Sequence, residues 1–173
     1  EIEFFLRKNG AQALSFDTIC VSGERTSLPH GVPTDKVMEI GDLITMDFGC
    51  VVDGYCSDMT RTVCLGKAGS EERELYEIVL AAQLLACRSA VPGMSCFDLD
   101  KKVRDFIGDA GYGPCFGHGL GHGVGLEIHE APTLNTRTKD VLKENMVITL
   151  EPGIYVPNQF GIRIEDLAFV SDS

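Results

Sequence analysis

No stretch of this 173-residue sequence approaches the ~18 consecutive apolar residues that a membrane span needs. The start, Glu1-Ile2-Glu3-Phe4, lacks the basic region followed by an apolar one that marks a signal peptide. Basic residues are scarce: 15 Lys+Arg face 26 Asp+Glu, a formal net charge of -11, which disfavours a nucleic-acid backbone or an anionic membrane as partner. No C-x-x-C pair occurs among the seven cysteines (Cys20, Cys50, Cys56, Cys64, Cys87, Cys96, Cys115). An odd and scattered set argues against a disulfide framework or a thiolate zinc site and suits a reducing cytoplasm. Proline is sparse at 7, and with 44% hydrophobic and 24% charged residues the composition is that of one soluble globular domain.

Residues 1 to 9 read as the last turns of a helix, apolar on one side through Ile2, Phe5 and Leu6 and stopped by Asn9-Gly10. From Val37 to Leu65 the pattern is that of strands, with Leu43 to Phe48 and Val51-Val52 running into Asp53-Gly54, a two-residue hairpin signal, and Tyr55 to Leu65 returning. Ser70 is expected to cap a helix whose inward stripe is Leu75, Ile78, Val79, Ala82, Leu85 and Ala86, ended by Pro92-Gly93. A second helix starts near Ser95, with Asp98 at capping-box spacing and Leu99, Val103, Phe106 and Ile107 inward, and stops between Gly108 and Gly111. Both stripes read as core. Further strands are expected from Met146 to Val170, with a turn around Pro157-Asn158. There Ile148-Thr149-Leu150-Glu151 echoes Ile44-Thr45-Met46-Asp47, a short internal duplication in which an apolar strand ends in a carboxylate.

With Asp53-Gly54 as the loop, Asp47 falls opposite Thr60, and Asp58 is its diagonal neighbour on the same face. The same register puts Cys50 opposite Ser57, so Cys50 and Cys56 lie on opposite faces and do not pair. Two carboxylates side by side on a buried face repel unless a cation sits between them. Glu151 stands in an equally apolar strand, and buried charges need partners or metal.

Three of the four histidines fall between His118 and His129. His118 and His122 have the H-x-x-x-H spacing of a helical zinc site, but Gly119, Gly121, Gly123 and Gly125 disfavour a helix. Alternating glycines suit an extended segment closely approached by another backbone or a ligand. A phosphate cradle is a poor alternative, since no Lys or Arg lies between Arg104 and Arg137.

The run His118 to Glu130 matches H-G-L-[SG]-H-x-[LIV]-G-[LIVM]-x-[IV]-H-[DE] at every position and resembles the signature of the proline peptidases, aminopeptidase P and prolidase. Leu28-Pro29-His30-Gly31, Asp47-Phe48-Gly49, Ser57 to Thr62, Leu150-Glu151-Pro152-Gly153 and Gly161 to Asp166 agree with the same family in order. The resemblance implies an α+β domain over residues 1–173 with the pita-bread fold, a pseudo-twofold curved antiparallel sheet covered by helices. It implies two divalent ions, Mn²⁺ or Co²⁺ with Zn²⁺ or Fe²⁺ also tolerated, held by Asp47, Asp58, His122, Glu151 and Glu165. It further implies hydrolysis of Xaa-Pro bonds by a hydroxide bridging the metals, with Glu151 moving the proton and His129 stabilising the oxyanion. His118 and His30 would line the pocket for the residue after the scissile bond. Strand alternation puts Arg163 on the face of Glu165, where it would orient that or a neighbouring acid. The implied substrate is a peptide with proline in second position, and a homodimer is one possible state of the full-length protein. Full-length proline peptidases carry an N-terminal domain not visible here, so both ends are expected to be cut.

Methionine aminopeptidase shares the fold, the five ligands and the segment from His122 to His129; His118 and the segment around Arg163 favour proline peptidase. Creatinase shares the fold without metal, and the complete ligand set argues against it. A peptide-binding relative that has lost catalysis would be expected to have lost ligands.

Overall fold

The structure, a computed structural model, describes residues 1–171. The last two residues of the expected 1–173 domain lie outside the described residues. Helix α1 (Ile2–Lys8) leads into the short strands β1 (Ala13–Leu14) and β2 (Ile19–Ser22) and a 3-10 turn, Gly23–Ser27. Then come β3 (Leu43–Phe48), β4 (Cys50–Val52), β5 (Tyr55–Cys56) and β6 (Met59–Cys64). Helices α2 (Ser70–Ser89) and α3 (Cys96–Asp109) follow. The second half holds β7 (Gly121–Gly123), β8 (Glu130–Leu134), β9 (Val147–Leu150), β10 (Gly153–Val156), β11 (Phe160–Arg163) and β12 (Asp166–Phe169).

Asp53 and Gly54 both adopt positive φ, 50° and 83°, the geometry that matches a tight hairpin to the twist of its strands. That loop fixes the register, and Asp47 pairs with Thr60 as expected. The returning strand is broken, however. Ser57 turns its hydroxyl to the backbone N–H of Cys50, and Asp58 sits in the gap between β5 and β6.

All strand pairings are antiparallel, and the duplication is visible in them. β3 lies between β2 and β6, and β9 lies between β12 and β7. An isolated bridge between Thr60 and Glu165 ties the two halves together where their acids meet. Helices α2 and α3 bury Leu75, Val79, Ala82, Ala86, Leu99, Val103 and Ile107 against Ile148, Leu150, Ile154 and Ile162 of the strands. This apolar layer backs the sheets and leaves their other side to the polar site.

Three local expectations need correction. Gly69, not Ser70, is the N-cap of α2, because its extended backbone leaves room for the Glu72 carboxylate, which folds over it. Phe5 is 65% exposed, so only Ile2 and Leu6 of α1 turn inward. Leu85 is half-buried and outside the core, whereas Ile78 and Phe106, also half-buried, pack against the core as expected. All seven cysteines are free. Among the described residues no helix is long and apolar enough to cross a membrane.

Candidate metal centre

All nine side chains singled out in the sequence line one cavity of about 320 Å³: Asp47, Asp58, His122, Glu151, Glu165, His30, His118, His129 and Arg163. Five different segments deliver the five donors. Asp47 comes from β3, Asp58 from the gap before β6, His122 from β7, Glu151 from the residue after β9, and Glu165 from the bridge to Thr60. β7 reaches this depth because it is glycine-rich. A Cβ on Gly121 would lie 2.1 Å from the Thr149 carbonyl oxygen, and one on Gly123 would lie 2.4 Å from that of Ala131. The alternating glycines thus admit neighbouring backbone, and His122 gains a hydrogen bond from its N–H to the Thr149 hydroxyl at 3.0 Å.

Asp58, His122 and Glu165 each present a ligand atom within 4.8 Å of the others'. His122 Nδ1 donates to the Gly123 carbonyl at 3.0 Å, which leaves the Nε2 lone pair facing Asp58 at 3.7 Å and Glu151 at 3.6 Å. Asp47 and Glu151 line the same cavity outside that compact group of three. Asp47 Oδ2 accepts from Arg163 Nη2 at 2.7 Å, while Asp47 Oδ1 is buried without a hydrogen-bond partner among the described residues.

The acids oppose one another. Burial, reinforced by Glu165 and Asp47, pushes Asp58 up to about 8. Burial raises Glu165 to about 7 against the hydrogen bond from Thr60, with Asp47 adding to the rise. Glu151 is raised well above the ordinary carboxylate range by burial and by Glu165. Asp47 is also raised by burial, in part offset by Arg163. Burial holds His122 below its ordinary value and so keeps the ring neutral. Four acids, one of them with an orphaned oxygen, and a neutral imidazole with a free lone pair fit divalent cations that accept mainly oxygen donors.

Arg163 is 3% exposed and orients two of these acids. It grips Asp47 directly, and its Nε donates at 3.0 Å to the Thr60 hydroxyl, which donates in turn to Glu165 at 2.6 Å. Its Nη1 donates to the Tyr155 hydroxyl at 2.9 Å and to the Pro29 carbonyl at 3.1 Å. Tyr155 is the residue the sequence reading missed. Its hydroxyl lies 2.8 Å from His118 Nε2, whose Nδ1 is 2.8 Å from the Gly119 carbonyl. Since a carbonyl only accepts, Nδ1 donates, Nε2 accepts from Tyr155, and Tyr155 accepts from Arg163. Both ring nitrogens of His118 are therefore engaged, and burial lowers its pKa to about 4. Within the apolar run Ile154-Tyr155-Val156 a buried hydroxyl was the one available signal. His30 and His129 are exposed at the mouth, His129 stacked edge-on against His122 at 4.4 Å.

Compared with known proteins, residues 1–172 match the family model described as Metallopeptidase family M24. An Xaa-Pro dipeptidase of Pyrococcus furiosus is 49% identical over 173 residues, 100% of this chain and 50% of that protein. An uncharacterized peptidase of Bacillus subtilis is 48% identical over 173 residues, 100% of this chain and 49% of that protein. The solved prolidase of Pyrococcus furiosus superposes with a TM-score of 0.97 at 49% identity, covering 99% of this chain and 51% of that one. An X-Pro aminopeptidase of Thermotoga maritima gives a TM-score of 0.94 at 49% identity, over 96% of this chain and 47% of that one. The chain spans about half the length of the relatives it matches.

Proposed function

We propose, since the chain belongs to metallopeptidase family M24 and has the pita-bread fold of the proline peptidases, that it is the catalytic domain of an Xaa-Pro peptidase working with two divalent ions. Residues 1–173 form that domain in this reading, and free thiols at all seven cysteines support a cytoplasmic setting. The observation that carries the proposal is the single cavity in which four acids and His122 converge while Asp47 Oδ1 is buried with no partner among the described residues. Asp47, Asp58, His122, Glu151 and Glu165 would hold the ions, and the carboxylate-rich donor set favours Mn²⁺ or Co²⁺. Bound there, the metals would supply a water of lowered pKa as nucleophile and polarise the scissile carbonyl.

The chain's own residues do the rest. Glu151 is the candidate to accept a proton from the attacking water, since its buried carboxyl takes up a proton far more readily than an exposed one. It then delivers that proton to the leaving proline nitrogen, which becomes a free amine on cleavage. His129, exposed beside His122, would donate to the oxygen that gains charge. His118 turns no free ring nitrogen to the cavity, so its contribution to proline recognition is contact with the ring. His30 completes that pocket at its rim. Proline offers no N–H, and such contacts are what a site has available to hold it.

The test is the full-length protein with quantified metal, assayed on Xaa-Pro dipeptides, Xaa-Pro tripeptides and Met-Ala-Ser. Two equivalents of metal per chain and turnover of the Xaa-Pro peptides are expected. A kcat/KM higher for Met-Ala-Ser would make methionine aminopeptidase the better reading, and no turnover at full metal occupancy would favour a peptide-binding relative.

A further inference from the structure

We infer that the ion pair between buried Asp100 and partly exposed Arg104 of α3 is a positioning device for His118, a side-chain clamp on the backbone of residues 116–120. The inference rests on the proposed function only for what His118 does.

Asp100 has no exposed surface, and Arg104, one turn later, meets it with two hydrogen bonds of 3.0 Å. Neutralising Asp100 would need no more than that. Yet Arg104 also donates to the Phe116 carbonyl and to the His118 carbonyl, both at 2.7 Å, and lies 4.3 Å over the Phe116 ring. Asp100 Oδ1 accepts from the Leu120 N–H at 2.9 Å. Residues 116, 118 and 120 are alternate positions, but the chain bends at His118 and Leu120 rather than running as a strand, and the Leu120 carbonyl accepts from the Glu151 N–H at 2.9 Å.

Buried backbone groups in such a bent segment need partners that no neighbouring strand supplies. Here strand pairing begins only at Gly121, with β8 and β9. Upstream of it, α3 supplies one carboxylate and one guanidinium to the same groups. The clamp leaves the His118 ring on the cavity side, packed edge-on against Phe116 at 5.2 Å and bonded to Tyr155. An ion pair with one wholly buried member contributes little net stability compared with an apolar pair of similar volume. What this one provides is the path of the chain that carries His118.

The test uses the full-length protein with Arg104→Lys, whose ammonium keeps the charge but cannot span Asp100 and two carbonyls in one plane. The double variant Asp100→Asn/Arg104→Met leaves no unpaired buried charge and guards against loss of folding. Three quantities are measured: the NMR signal of the His118 Nδ1 proton that is bonded to Gly119, the KM and kcat on an Xaa-Pro peptide, and the Kd for Mn²⁺. In both variants the His118 proton should exchange rapidly with water, KM should rise about tenfold, as loss of one or two positioning hydrogen bonds implies, and the Mn²⁺ Kd should hold within about twofold, because His122 stays paired with Thr133 of β8 and bonded to the Thr149 hydroxyl of β9. An unchanged His118 signal with wild-type KM in either folded variant overturns the clamp. So does a parallel fall in Mn²⁺ affinity, which would mark a general structural role. Should the wild type not cleave Xaa-Pro bonds, the functional reading fails, while the His118 signal still decides the clamp.

Discussion

Arg163 Nη2 donates to Asp47 Oδ2 at 2.7 Å, while Asp47 Oδ1 is buried with no hydrogen-bond partner among the described residues. One oxygen of the carboxylate is thus held by a guanidinium, and the other is left to whatever the cavity binds. A buried acceptor left unmade costs about 1–3 kcal/mol. Arg163, itself buried, neutralises one of the four acids. The remaining negative charge is what cations would relieve.

That charge makes the metal-free protein sensitive to base. Burial and neighbouring acids place Asp58 at about 8 and Glu165 at about 7, above the ordinary 3.8 and 4.5 that apply in the unfolded chain. Between those limits the folded state holds more protons than the unfolded one, so the contribution is full in acid and is lost as pH rises through 7 to 8. The Tm in a chelator is expected to fall from about pH 5.5 to about pH 8.5, and saturating Mn²⁺ to raise it and flatten the dependence. Calorimetric titration in two buffers should show protons released on binding near pH 6. A chelated Tm that rises across that range, or no metal binding, would contradict the charge balance described.

Glu151→Gln keeps the side chain's shape and removes its capacity to carry a proton. The expected result is a fall in kcat of about 10²–10⁴-fold with KM little changed. Metal content must be measured alongside, since Glu151 lies 3.6 Å from His122 Nε2 and the amide is a poorer ligand. Near-normal kcat at full occupancy would remove Glu151 from the proton's path.

Tyr155→Phe deletes the hydroxyl that accepts from Arg163 and donates to His118. Arg163 Nη1 keeps the Pro29 carbonyl, so the variant should fold with a loss of about 1–3 kcal/mol for the weakened buried network. His118 loses its Nε2 donor, and kcat/KM for Xaa-Pro peptides should drop about tenfold, mostly through KM. Denaturant unfolding and steady-state kinetics check both parts. Wild-type kinetics would show that His118 needs no support from Tyr155.

Much of this site was legible because short-range rules delivered it. Asp53-Gly54 fixed the register that aligned Asp47 with Thr60, and strand alternation put Arg163 beside Glu165. The glycines flanking His122 announced close backbone approach, and β8 and β9 supply it. What stayed hidden acts between segments far apart in the chain. Tyr155 looks like any strand aromatic until His118 is placed against it, and Asp100–Arg104 looks like a surface helix pair until the 116–120 segment is laid alongside. The cap of α2 differs for a local reason instead: Ser70 has the right chemistry, but Glu72 folding over Gly69 makes the glycine the better place to turn.

The glycine argument has its own consequence. An alanine at position 121 would put its Cβ 2.1 Å from the Thr149 carbonyl oxygen and 2.8 Å from its hydroxyl, both fixed within β9 or bonded to His122. Backbone cannot yield as a side-chain tip does, so β7 must move away from β9 and carry His122 with it. Gly121→Ala should therefore lower stability by about 1–3 kcal/mol, in the range of overpacked cores, and weaken Mn²⁺ binding at the same time. Gly117→Ala is the control, since a Cβ there meets nothing within 4 Å and should leave Tm and metal affinity unchanged. Thermal unfolding and metal titration of the two variants separate a steric effect at β7 from a general intolerance of this segment. Wild-type metal affinity in Gly121→Ala would mean that His122 does not depend on the contact between β7 and β9.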